Sequence, residues 1–74
     1  MNLKEAYDNV NEIRSGTHPS FLIPHVISKF NLKPSRVEIE KLYREKMKKY
    51  IDRKDWNTSQ VEKTLRDILN KYGN

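Results

Sequence analysis

Apolar side chains recur along this chain at intervals of three and four, and no apolar–polar alternation of period two persists anywhere. That periodicity predicts an all-α fold, a compact bundle of about four short helices with no sheet. Leu3, Ala6, Tyr7, Val10 and Ile13 gather on one face of a first helix over residues 3–15. Asn2 caps its start with Glu5 at the capping-box position, and Gly16 ends it in the left-handed conformation that glycine tolerates. A third helix over residues 36–53 carries the stripe Ile39, Leu42, Tyr43, Met47, Tyr50 and Ile51. Ser35 and Glu38 form its capping box. A fourth helix over residues 58–72 starts from Asn57 and Gln60, with Trp56 and Val61 at the hydrophobic-staple positions, and Gly73 closes it.

The second helix is the hardest to bound, because Pro19 and Pro24 both lie in "THPSFLIPHVISKFN". A proline in a helix interior costs about 3 kcal/mol, whereas the first turn accepts one. The expected helix therefore starts at Pro24 and covers residues 24–30, with Val26, Ile27 and Phe30 inward. Thr17 or Ser20 is expected to cap a turn ahead of it, with His18 exposed.

At 74 residues the chain is one all-α domain, residues 1–74, and charged residues (34%) nearly equal apolar ones (35%). Its core is therefore small, which suits a monomer or a homodimer. The net charge of +5 is unevenly placed. Residues 29–54 carry ten basic and four acidic side chains, while the segments on either side are close to neutral. A basic block of this kind suits an anionic partner: nucleic acid, an acidic protein surface or, ranked behind them, a membrane surface.

Two routes to nucleic acid follow. Between residues 26 and 42 the chain resembles the helix-turn-helix pattern: Val26 and Phe30 inward, Asn31 at the turn, Leu32 plugging the core, Val37 packing the second helix on the first. Lys33, Ser35, Arg36 and Glu40 would then enter the major groove, and DNA is the implied target. Ile27 and Glu40 depart from the pattern, which prefers a small residue and a core residue there. The second route needs no such turn. Lys41, Arg44, Lys48 and Lys49 fall opposite the apolar stripe of the third helix, and Arg53 and Lys54 extend the patch. Cations so arranged track phosphates without reading bases. The expected function is a small, non-catalytic regulatory protein that binds nucleic acid.

The alternative is an adaptor or inhibitor docking on a protein partner. Its interface would be the same basic face or the acidic ridge Glu5, Asp8 and Glu12, unless that ridge faces the basic helix within one molecule. Catalysis and cofactors are not expected. The chain has no cysteine, two histidines and no glycine-rich phosphate loop, so neither a zinc site nor nucleotide chemistry has its ligands. The absence of a signal-like start and of a long apolar run points to a cytoplasmic protein without a membrane span.

Overall fold

The computed structural model describes residues 2–13 and 17–73. Among them are four helices and no strand: α1 (Leu3–Ile13), α2 (Pro19–Lys29), α3 (Arg36–Asp52) and α4 (Thr58–Tyr72). The all-α bundle expected from the periodicity is what forms. One apolar core unites all four, from Leu3, Ala6, Tyr7 and Val10 on α1 to Val61, Leu65, Ile68 and Leu69 on α4.

Caps written locally in the sequence behave largely as the sequence implies. The Asn2 side chain accepts the Glu5 N–H at 2.8 Å. Asn57 and Gln60 close a full capping box, the Gln60 N–H donating to the Asn57 side chain at 2.8 Å and the Asn57 N–H to Gln60 at 3.1 Å. At α3 the box is half made. Ser35 accepts the Glu38 N–H at 3.2 Å, but the Glu38 carboxylate accepts the Leu3 N–H at 3.0 Å, tying the start of α1 to the start of α3. The end of α1 expected at Gly16 lies outside the described residues.

The largest correction concerns α2. It begins at Pro19, in the first turn, and runs through Pro24 to Lys29 rather than starting at Pro24. Leu22, Ile23, Val26 and Ile27 are all buried. Each contributes roughly 1.5–3 kcal/mol on burial, which together outweighs the ~3 kcal/mol penalty of an interior proline. Pro24 also lies with Ser20 along an open groove beside α4, and it has no N–H to donate to the Ser20 carbonyl. Phe30 is not inward; it stands past the helix at 36% exposure.

The turns after α2 and α3 close with one hydrogen-bond pattern. After α2, the Leu32 N–H donates to the Ile27 carbonyl (2.9 Å) and the Asn31 N–H to that of Ser28 (3.3 Å). After α3, the Asp55 N–H donates to the Tyr50 carbonyl (3.0 Å) and the Lys54 N–H to that of Ile51 (2.9 Å). Both are Schellman motifs, whose pivot residue is left-handed and usually glycine. Here the pivots are Asn31 (φ 52°) and Lys54 (φ 62°). Gly73 is needed for space rather than for dihedral freedom: at φ −73° a Cβ would lie 2.6 Å from the Leu69 carbonyl oxygen.

Candidate nucleic-acid interface

Helix α3 positions most of the candidate cations. With Ile39, Leu42, Tyr43 and Met47 buried, Lys41 and Lys48 stand exposed on the opposite face, two turns and about 10 Å apart along the axis. Neither forms an ion pair with a described carboxylate, and the same holds for Arg53 and Lys54 in the following turn. Lys54 is exposed and left-handed there, a conformation that costs an ordinary L-residue about 1–2 kcal/mol.

The other candidates are placed differently. Arg44 is committed to its own molecule. Its guanidinium donates to Glu40 at 3.1 Å and to both carboxylate oxygens of Glu62 across the α3–α4 seam. This pairing holds the Glu62 carboxyl below its ordinary range and the arginine firmly protonated. Glu62 thus reaches across to α3 instead of pairing with Arg66 along its own helix. Lys33 sits in the α2–α3 connection beside Asn2, Leu3 and Glu38, and Arg36 lies against Gly73 at the end of α4. Lys33 thus neighbours the start of α1 and Arg36 the end of α4.

Lys49 is exposed but faces α1. It lies over the Tyr50 ring at 5.3 Å, as Lys46 lies over Tyr7 at 5.2 Å. Both lysines border a cleft of about 390 Å³ with Tyr7, Asn11, Glu45 and Tyr50. Lys46 also pairs with Asp8 at 3.5 Å. With two lysines set against Glu45 and Asp8, the cleft carries no net charge to select an anion. The Tyr7 phenol, pushed up to about 12 by burial first and neighbouring charge second, stays neutral. The acidic ridge therefore meets the basic helix within one molecule at Asp8 only; Glu5 and Glu12 are exposed and unpaired among the described residues.

The helix-turn-helix register does not form as the pattern requires. Six residues separate α2 from α3, where such motifs use a turn of three or four. Val37, expected between the helices, is 72% exposed. A helix starting at Arg36 turns Ile39 and Tyr43 inward and so turns Val37 out. Tyr43 is fully buried, its hydroxyl without a well-formed hydrogen bond. Burial raises its pKa and the neighbouring Thr64 side chain offsets part of that rise.

His18, expected to be exposed, is instead the cap of α2, stacked on Trp56 and in tilted contact with Tyr50. The sequence signal was "HPS": a proline in the first helical position makes the preceding residue the cap. His25 is exposed on the outer side of α2. No group of three or more histidine or acidic side chains fit to hold a metal occurs among the described residues, and no described helix is long and apolar enough to cross a membrane. The chain matches no protein-family model, and no curated protein or solved structure is significantly similar to it.

Proposed function

We propose that the protein binds nucleic acid, with duplex DNA as the simplest target, by phosphate contacts from the outer face of α3 and the turn that follows it. The carrying observation is that Lys41, Lys48, Arg53 and Lys54 are exposed and form no ion pair among the described residues, in a chain with ten acidic side chains of its own. Lys54 adds support. Glycine or asparagine would hold its left-handed pivot at lower cost, so a lysine there sacrifices stability for a charge. The outward Val37 and the long α2–α3 turn favour backbone contact over base reading, so the binding is sequence-independent. Docking on a protein through Glu5, Asp8 and Glu12 has less support, because Asp8 is already engaged by Lys46.

Four phosphate contacts give a log–log salt slope of roughly −3 to −4 and a Kd on the order of 10⁻⁵ M near physiological salt. Fluorescence anisotropy with a labelled mixed-sequence duplex measures both. Binding that is tight at about 50 mM salt and falls steeply toward 300 mM supports the reading. Absence of binding at about 50 mM overturns it.

A further inference from the structure

The start of α2 and the turn between α3 and α4 are far apart in sequence and meet at His18. Its Nδ1 accepts the Ser20 N–H at 3.1 Å and lies 2.7 Å from the Ser20 hydroxyl. An Nδ1 that accepts a backbone N–H leaves the proton of the neutral ring on Nε2. Nε2 is buried without a hydrogen-bond partner. The ring lies 4.5 Å from that of Tyr50, tilted by 48°, and 4.5 Å from that of Trp56, nearly parallel at 26°. The titratable groups facing it are Lys49 and Tyr50 from α3; Ser20 on α2 and Trp56 on the turn carry no charge. No described carboxylate forms an ion pair with the ring.

This setting accepts a neutral imidazole and rejects a charged one. A proton on Nδ1 converts the acceptor that caps α2 into a donor aimed at the Ser20 N–H. It also puts a second cation beside Lys49. The faces of Tyr50 and Trp56 attract an imidazolium, but that attraction acts against the lost cap, the nearby ammonium and burial. We propose that His18 is a proton-operated clasp, which fastens the α3–α4 turn to the start of α2 while neutral and opens when the ring takes up a proton. The turn so held carries Arg53 and Lys54, and the device stands on the fold alone, whatever that turn binds.

Burial first, and the Lys49 charge second, hold His18 below its ordinary value of 6.5. The open or unfolded chain therefore binds the proton more readily than the closed one. The closed state is at full stability above 6.5 and weakens as pH falls from 6.5 toward the lower, closed-state value.

Trp56 is the only tryptophan, so its fluorescence reports the clasp directly. Titration of the full chain from pH 8 to 4, with ¹⁵N NMR of the His18 ring alongside, is expected to show Nδ1 unprotonated at pH 8. One Trp56 transition should follow, with a midpoint below 6.5. His18→Asn keeps a capping side chain and removes the titrating group, so the transition should vanish; His25→Asn should leave it in place. Lys49→Gln should move the midpoint up toward 6.5, and this variant carries the test if His18→Asn does not fold. A midpoint at or above 6.5, a transition that persists in His18→Asn, or a midpoint unmoved in Lys49→Gln would each overturn the proposal.

Discussion

The turns that follow α2 and α3 share a hydrogen-bond pattern and differ in almost everything else. The first pivots on Asn31, whose side chain tolerates the left-handed conformation, and continues into the partly buried Leu32 and the buried Pro34. The second pivots on Lys54 beside Arg53, and the stack of Trp56 on His18 holds it from outside. The first turn is stabilised by its own residues. The second gives up local stability, keeps two cations unpaired among the described residues and relies on a distant side chain. Equivalent backbone geometry thus carries a buried apolar continuation in one place and two exposed cations in the other.

That contrast can be broken most visibly by binding. Arg53→Ala combined with Lys54→Gly is expected to lower duplex affinity about tenfold at low salt, and to reduce the salt slope by about 2. Lys33→Ala, in the first turn and beside Glu38, should change affinity less than about twofold. Equal losses from the two turns would erase the distinction. The helix starts that follow the turns differ as well. Removing the reciprocal cap by Asn57→Ala should cost about 1–1.5 kcal/mol in urea unfolding, and removing the half-made cap by Ser35→Ala about 0.5–1 kcal/mol. The reverse order would mean that the second turn does not depend on the α4 cap. The pivots give a smaller and more direct comparison. Lys54→Gly should raise stability by about 0.5–1 kcal/mol, while Asn31→Gly should change it by no more than a few tenths. At this chain length 1 kcal/mol moves Tm by about 4–8 °C, so calorimetry resolves the difference. The smallest effect is expected from Arg44→Ala. Its ion pairs are exposed, and exposed pairs contribute little; Tm should fall by roughly one or two degrees, and duplex affinity should stay within about twofold.

What the sequence made legible follows the range of each interaction. The spacing of apolar residues in α3 and α4, and the caps at Ser35 and Asn57, involve neighbours within one helical turn, and they appear where the pattern puts them except at Ile51, which ends the α3 stripe 36% exposed. The start of α2 does not, because the local penalty at Pro24 is overruled by tertiary burial of Leu22, Ile23, Val26 and Ile27. His18 departs from its expected exposure for the same reason: its ring partners, Tyr50 and Trp56, come from another part of the chain. The basic face was readable as a set of cations on α3, but not the use of Arg44 by Glu62 on α4, nor the placement of Lys33 beside α1 and of Arg36 beside the end of α4. Charge counted along a sequence is an upper bound on charge available to a partner, and the interhelical carboxylates set the difference.

The central claim is that the unpaired cations of α3, and not the paired ones, meet phosphate. It is tested most directly by the slope of log affinity against log salt for a mixed-sequence duplex, measured for the unaltered protein, for Lys41→Ala with Lys48→Ala, and for Arg44→Ala. The double variant should bind more weakly, with a slope shallower by about 2, and Arg44→Ala should keep the original slope. A double variant whose slope matches that of the unaltered protein, or a slope that collapses only in Arg44→Ala, contradicts the account.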